Sequence, residues 1–146
     1  MSIPDPVPGT VIRYEFLWSR ERAIGKLDAA KSRPCAVVLA IPKGENGALQ
    51  TVVAPITHSP PDEPEASIEI TAAVCRSLGL DDGGHWIRID ELNSFAWPGI
   101  DLRPIPGKPG EYVYGMLPRK LFEKVREGIL ERQKSRKGTI VPRSAT

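Results

Sequence analysis

An arginine and a threonine stand at the ends of two apolar runs, with a spacing that suits phosphate binding. Arg33 precedes the run from 35 to 41, and Thr57 ends the run from 51 to 57. If the two runs are neighbouring antiparallel strands, Arg33 and Thr57 lie at the same end of one sheet. A guanidinium offers paired planar donors and a hydroxyl adds another, which suits a phosphate. The alternative is an arginine in a surface ion pair and a threonine that only caps a strand end.

Further polar residues flank this pair. His58 and Ser59 directly follow Thr57, and an imidazole there can move a proton near neutral pH. The charged segment 19–31 predicts a long exposed loop, a kind of segment that often carries functional groups. Its bases would attract a polyanion, and they are Arg20, Arg22, Lys26 and Lys31. Together these residues predict a site for an anionic ligand, although the basic ends and acidic middle of the chain do not require nucleic acid.

Composition indicates what kind of scaffold holds these residues. The chain has 146 residues, 40% of them hydrophobic, which is enough for one domain with a real core. Its 13 glycines and 15 prolines are too many for a helical bundle and fit short strands joined by turns. We predict a single domain over residues 10–133, preceded by a flexible lead-in at 1–9 and followed by a mobile basic tail at 134–146.

Hydrophobic patterning predicts a mostly β protein with one long helix. Alternation predicts a half-buried first strand over 10–18, and the two apolar runs predict buried central strands. Shorter strands are expected at 66–71, at 86–97 (one bent or two short) and at 112–116, with a short helix over 72–78. A terminal helix should begin at Pro118 and reach about Gln133. Its apolar stripe comprises Leu121, Phe122, Val125, Ile129 and Leu130.

The remaining reactive residues argue against redox or metal chemistry. Cys35 and Cys75 lack a C-x-x-C spacing, so we expect reduced core residues. His85 follows a Gly-Gly turn, so we expect a surface residue, and the two histidines suggest no ligand cluster, so neither a metal nor a cofactor is expected. The aromatic rings of Trp18, Trp86 and Trp97 could stack on bases, although core or dimer packing is the commoner role. With no signal peptide or membrane span in the sequence, we expect a cytoplasmic protein.

Several motifs in a fixed order resemble the PemK/MazF family of toxins from bacterial toxin–antitoxin pairs. The resemblance spans roughly residues 9–131. Its marks, in chain order, are Pro8-Gly-Thr-Val-Ile-Arg-Tyr-Glu-Phe16, Arg33-Pro-Cys-Ala-Val-Val-Leu39, Thr51-Val-Val-Ala-Pro-Ile-Thr57, Glu91-Leu-Asn-Ser-Phe-Ala-Trp97 and Gly115-Met-Leu-Pro118. The order of these motifs is more specific than any one of them. The family implies a small SH3-like barrel of the CcdB/MazF type, mostly β (α+β), with a C-terminal helix and usually as a homodimer.

The resemblance also implies an activity and a set of site residues. It implies a metal-independent endoribonuclease that cuts single-stranded RNA, with Arg33 and Thr57 as the matched catalytic residues, neutralised by a cognate antitoxin. In such a cut the 2′-hydroxyl attacks the neighbouring phosphate, so positive charge and fixed donors stabilise the transition state. A general base is also needed. Glu21 is the nearest acid to the family's position, and Asp28 and His58 are alternatives.

A different class of function fits the same fold. Related CcdB-type toxins resemble this barrel but act by binding DNA gyrase, and a degenerate member could bind only an antitoxin. The pair of Arg33 and Thr57 favours the enzyme, whereas the unusual 19–31 segment favours the binding protein. A third hypothesis is a structural or regulatory barrel without toxicity.

Overall fold

Eight strands in the described part of the chain form a curled, barrel-like sheet. The computed structural model describes residues 3–25, 31–42 and 48–143. In chain order the strands are β1 (Thr10–Tyr14), β2 (Arg33–Pro42), β3 (Leu49–Thr57), β4 (Ser67–Ile70), β5 (His85–Arg88), β6 (Glu91–Ala96), β7 (Val113–Met116) and β8 (Thr139–Pro142). The α-helices of these ranges are α1 (Ser19–Ala23), α2 (Ala72–Ser77) and α3 (Arg119–Lys134). The predicted class, a mostly β barrel with a C-terminal helix, is confirmed.

Strands β2 and β3 form the centre of the sheet. They pair antiparallel, and Cys35 lies opposite Pro55, so Arg33 and Thr57 come to the same end of the pair as predicted. Across the sheet, neighbouring strands follow the order β4, β5, β3, β2, β1 and β7. Along its other edge β3 pairs first with β6 and then with β5. Pro55, which has no N–H to donate, lies between these two pairings.

The core fills both sides of the central strands. One cluster packs the sheet against α2 and α3 and includes Val125 and Ile129 of α3. A second, aromatic cluster includes Tyr14, Phe16 and Trp18. Gly128 brings α3 close to the sheet, because a Cβ at this position would lie 2.7 Å from Cδ1 of Ile89. No helix in the described ranges is both long enough and apolar enough to cross a membrane.

The C-terminal segment differs from the expectation of a mobile tail over 134–146. Residues of β8 pair in parallel with β6, and Val141 is buried. Just beyond the strand, the Arg143 guanidinium donates to the Glu15 carbonyl and forms an ion pair with Asp101 at 3.1 Å. The strand was not predicted because the large apolar residues of this segment, Ile140 and Val141, are too few to show a period in the sequence. The predicted tail is therefore wrong for residues 139–143.

Three N-terminal expectations also need correction. The 1–9 segment is held where it is described, since Gly9 N–H donates to the Val37 carbonyl and Trp97 Nε1 donates to the Pro4 carbonyl. The first strand ends at Tyr14 instead of Trp18, although Trp18 remains buried. The expected 19–31 loop begins with the short helix α1. This helix was not predicted because none of its side chains is buried, so the sequence has no apolar stripe that would indicate a helix.

The helix α3 matches the prediction with small shifts. Pro118 is the N-cap instead of the first helical residue, and the helix ends at Lys134. Leu130, assigned to the buried stripe, is exposed, whereas the guanidinium of Arg132 is buried and donates to the Glu65 carbonyl. The strands predicted at 66–71, 86–97 and 112–116 and the short helix at 72–78 are all present, with 86–97 divided between β5 and β6.

A buried asparagine ties the chain beyond β1 to the sheet. Asn93 on β6 is fully buried, and its side chain accepts from Leu17 N–H at 2.9 Å and donates to the Leu17 carbonyl at 2.8 Å. Arg143 donates to the same side-chain oxygen at 3.3 Å. These contacts satisfy backbone groups that no strand partner reaches, so they fix the position of the following residue, Trp18.

We predict that Asn93→Leu lowers the free energy of unfolding by about 2–4 kcal/mol, because the N–H and C=O of Leu17 would stay buried without partners. Urea unfolding measures the change. The half-buried neighbour Ser94 on the same strand provides a control, and Ser94→Ala should cost less than about 0.5 kcal/mol. Equal stability of Asn93→Leu and the wild type would contradict the role given to this side chain.

Candidate functional site

The polar end of the β2–β3 pair opens into a cavity of about 1180 Å³. Five basic side chains line it, namely Arg13, Arg20, Lys31, Arg33 and Arg88. Acids from the 58–63 and 81–90 segments line it too, so the cavity is highly charged. Thr57, Glu21, His58 and Ser59 also face this space. The structure therefore brings together most of the site residues that the sequence predicts.

The indole ring of Trp18 lies close to three of these arginine side chains. The guanidinium carbons lie 5.1 Å (Arg33), 5.3 Å (Arg88) and 5.8 Å (Arg20) from the ring centroid. Such distances allow cation–π attraction, which is strongest for tryptophan. Trp18 is itself buried and is held edge-on by Phe16 at 5.0 Å. The expectation that Trp18 packs in the core is correct, and the ring also positions arginines of the cavity.

Arg33 is a partly buried cation with little compensation. Burial lowers the pKa of Arg33, and the nearby guanidinium groups of Arg13 and Arg20 act in the same direction, while Glu21 opposes them. Its Nε is buried without a hydrogen-bond partner, and no carboxylate of the described residues forms an ion pair with it. Among the described residues, the alternative of a surface ion pair does not hold. An anion in the cavity would relieve this charge.

Thr57 is held at the matching end of β3. It is buried, and its hydroxyl oxygen accepts from Ser59 N–H at 3.1 Å. Because the oxygen accepts there, its own proton can be donated to a ligand in the cavity. The turn that this bond closes also brings Ser59 and His58 to the cavity wall.

Glu21 has a structural contact besides its place in the cavity. It is half-buried on α1, and its carboxylate accepts from Trp18 N–H at 3.1 Å, which closes the first turn of the helix. Glu91 of β6 accepts from Ser19 N–H at 2.8 Å at the same helix end. Two carboxylates thus fix α1, and with it Glu21, beside Arg33.

The other predicted binding residues divide into three groups. Arg20 and Lys31 line the cavity. Arg22, also on α1, is exposed and is not part of the cavity wall. Lys26 and the alternative base Asp28 lie outside the described residues. The structure therefore places two of the four predicted basic residues at the site.

Sequence reasoning missed two arginines and a tyrosine of the cavity. Arg13 leaves β1 beside Arg33, where its Nε donates to Ser32 at 2.8 Å and a terminal nitrogen donates to the Tyr114 hydroxyl at 3.1 Å. Arg88 forms a paired contact with Asp90 at 2.8 and 2.7 Å, which raises the pKa of Arg88. Arg13 could have been found from the alternation of the first strand, which places this arginine on the less buried face. No pattern in the sequence pointed to Arg88, because the Trp18 ring that it contacts lies 70 residues earlier in the chain.

The expectation that the histidines form no ligand cluster is wrong. His85 is buried instead of exposed, and its Nε2 lies 3.1 Å from Oδ1 of Asp81. His58 Nε2 lies 3.2 Å from the same oxygen, and the two imidazole rings are 4.3 Å apart. His85 was misjudged because the Gly-Gly turn before it folds back onto β4, so that the residue enters the sheet.

Comparison with models of protein families, with curated proteins and with solved structures found no match for this chain. The likeness to PemK/MazF toxins therefore rests on the motifs in the sequence.

The thiol next to Arg33 allows a test of burial at this end of the sheet. Both cysteines are free and buried, as expected, and burial raises the pKa of Cys35 from 9.0 to about 12. The unfolded chain releases this proton at lower pH than the folded protein does. The stability due to the neutral thiol is therefore complete below pH 9.0 and is lost as the pH rises to about 12.

We predict that Cys35→Ala makes the free energy of unfolding less dependent on pH above 9, the ordinary pKa of the thiol. The wild type should lose up to about 1.4 kcal/mol more per pH unit than the variant in this range. Urea unfolding at several alkaline pH values measures both curves, and Tyr14, whose pKa burial also raises, contributes to the pH dependence of each protein. Parallel curves would show that the thiol is not buried as described.

Proposed function

We propose that the protein is an endoribonuclease that cuts single-stranded RNA by attack of a 2′-hydroxyl on the adjacent phosphate. The observation that carries this proposal is the undercompensated guanidinium of Arg33 beside the Thr57 hydroxyl, in a cavity lined by four further cations. A phosphate would supply the missing negative charge. The cavity is also large enough for more than one nucleotide, and the likeness to PemK/MazF toxins points to the same chemistry.

Arg33 and Thr57 would act on the phosphate itself. As the 2′-oxygen bonds to the phosphorus, the phosphorus becomes five-coordinate and its non-bridging oxygens gain charge. The P–O5′ bond then breaks, the 5′-oxygen leaves and takes a proton from water, and a 2′,3′-cyclic phosphate remains. Arg33 would stabilise that charge from a partly buried position, where electrostatic attraction is stronger than in water. Thr57 would donate its hydroxyl proton to one of the same oxygens. Both groups are fixed before the substrate binds, Arg33 by Trp18 and Thr57 by Ser59.

Glu21 is the general base of this proposal. A carboxylate accepts protons through its oxygen lone pairs, and Glu21 is held at the cavity wall by α1, whose first turn it closes. Its charge is close enough to Arg33 to affect the pKa of that guanidinium. His58, the alternative base, has both ring nitrogens engaged, Nδ1 with the Gly84 carbonyl at 2.9 Å and Nε2 with Asp81. Glu21 is preferred because its charge acts directly on Arg33, which would hold the phosphate.

An antitoxin would inhibit the protein by filling the same cavity. The motivation is that its cationic wall, with Arg13 and Arg33 free of carboxylate ion pairs among the described residues, suits an acidic peptide as well as RNA. The likeness to PemK/MazF toxins also implies a homodimer, which would be the unit that such a peptide binds.

We predict that Arg33→Ala and Thr57→Val each lower the rate of RNA cleavage on the order of a hundredfold or more, because each removes one donor to the developing charge. Cleavage of a long single-stranded RNA in EDTA measures the rate, and the product should end in a 2′,3′-cyclic phosphate. Arg119→Ala provides a matched control, since Arg119 is an exposed arginine of α3 outside the cavity, and it should cut like the wild type.

Modified substrates test the attacking group in the same assay. RNA with 2′-deoxyribose or 2′-O-methyl at the cut position should stay intact, because it lacks the nucleophile. Full activity of folded Arg33→Ala, or equal cutting of the modified RNA, would contradict the mechanism. Wild-type protein that leaves all RNA intact would reject the enzyme and favour a protein-binding role.

We predict that RNA binding weakens steeply with salt, because each phosphate neutralised by a cavity cation releases counterions. The slope of log Kd against log salt concentration should be about 0.7 for each phosphate contact, or about 2–3 in total. Fluorescence anisotropy with an uncleavable 2′-O-methyl RNA measures it. Arg20→Ala should reduce the slope by about 0.7, whereas Arg119→Ala should not change it, and a slope near zero for the wild type would contradict the phosphate contacts.

A further inference from the structure

Two histidines and an aspartate converge at one part of the cavity wall. The Nε2 atoms of His58 and His85 lie 3.2 and 3.1 Å from Oδ1 of Asp81. One nitrogen or oxygen from each of the three side chains falls within 4.8 Å of the other two. His85 is buried, whereas the side chains of His58 and Asp81 are 53% and 77% exposed. The cluster therefore has one fixed member and two that can adjust.

The loop before β5 builds this convergence. Gly83 and Gly84 both have left-handed backbone angles, with φ of 112° and 82°. These angles turn the chain so that the Gly84 carbonyl accepts from His58 Nδ1 at 2.9 Å while Asp81 reaches Nε2 of the same ring. A side chain at either glycine would be strained in this conformation.

The hydrogen bonds leave each imidazole with Nε2 facing the carboxylate. A carbonyl can only accept, so His58 carries a proton on Nδ1 and donates it to Gly84. Nδ1 of His85 lies 3.4 Å from Sγ of Cys75, a buried free thiol. That thiol can donate to the Ile70 carbonyl at 3.9 Å and accept from His85 Nδ1. Both Nε2 atoms can then offer lone pairs toward the Asp81 oxygen.

Two imidazole nitrogens and a carboxylate oxygen at these distances form a set of ligand atoms that one metal cation can bridge. We propose that His58, Asp81 and His85 bind a divalent transition metal ion, with Zn²⁺ as the best fit. Zinc–nitrogen and zinc–oxygen bonds of about 2.0–2.2 Å place tetrahedral ligands about 3.3–3.5 Å apart, close to the two separations observed. Two imidazoles and one carboxylate are ligands that zinc accepts, whereas Mg²⁺ and Ca²⁺ prefer oxygen alone.

The outer contacts of the cluster also suit a metal. Metal-binding histidines usually donate their second ring nitrogen to a carbonyl or carboxylate, which fixes the ring. His58 has such a contact in Gly84, and His85 is held against Cys75 inside the sheet. Three protein ligands leave the fourth tetrahedral position to water or to a ligand in the cavity.

The bound ion would connect two loops that border the cavity. His58 belongs to the segment after β3, and Asp81 belongs to the segment between α2 and β5. An ion that binds only the folded arrangement stabilises it by RT ln(1 + c/Kd), where c is the free ion concentration, so the unfolding temperature rises as c exceeds Kd. This site is separate from the proposed cleavage step, which uses Arg33, Thr57 and Glu21.

Titration of untagged, metal-free protein with Co²⁺, followed by displacement with Zn²⁺, tests the site without RNA. Co²⁺ in a site with nitrogen and oxygen ligands gives a visible absorption band, and Zn²⁺ should remove it at one equivalent. Asp81→Asn and His58→Gln change exposed ligands and should weaken zinc binding at least tenfold. Asp82→Asn changes the exposed neighbouring carboxylate and should bind zinc like the wild type.

Thermal unfolding with and without Zn²⁺ gives a second measure. The unfolding temperature should rise with Zn²⁺ for the wild type, Asp82→Asn and Arg33→Ala, and should not rise for Asp81→Asn or His58→Gln. Binding by Arg33→Ala would show that the metal site does not depend on the proposed ribonuclease activity. If the wild type bound Zn²⁺ no more tightly than Asp81→Asn, or if Asp82→Asn lost binding equally, the site would be rejected.

Discussion

The double hydrogen bond between Asn93 and the backbone of Leu17 is the constraint on which the cavity depends. It holds the chain after β1 has ended, where no strand partner is present, and so fixes Trp18. Trp18 in turn lies under the guanidinium groups of Arg33 and Arg88. Arg143 strengthens the same point from the C-terminal end, because it donates to Asn93 and to the Glu15 carbonyl. The two ends of the chain thus support one wall of the cavity.

The charge of the cavity follows from how its arginines are paired. Arg88 has a paired contact with Asp90, and such contacts offset the cost of burying a guanidinium. Arg33 has no carboxylate ion pair among the described residues, and an indole ring compensates a buried charge less than a carboxylate does. An anion that enters the cavity would therefore gain an attraction to Arg33 that no carboxylate ion pair of the described residues already satisfies. On the same cavity wall, His58, Asp81 and His85 bring three possible metal-ligand atoms within 4.8 Å of one another.

The sequence was sufficient for the central strands and for the pair at their ends. Long apolar runs specify buried strands, and antiparallel pairing then places Arg33 beside Thr57 whatever the rest of the fold does. The sequence was insufficient where one or two long-range contacts decide the structure. Strand β8 depends on pairing with β6, and the burial of His85 depends on pairing with β4. Neither contact leaves a local pattern, so the tail and the histidine cluster could not be predicted from periodicity or spacing.

The most direct test is a crystal structure of the protein with a short single-stranded RNA made uncleavable by 2′-O-methyl groups. The account predicts that one phosphate lies in the cavity, with its non-bridging oxygens within hydrogen-bonding distance of the Arg33 guanidinium and Thr57 Oγ1, and with the neighbouring 2′-oxygen facing Glu21. RNA bound on another surface, or a phosphate that contacts neither Arg33 nor Thr57, would contradict the central claim.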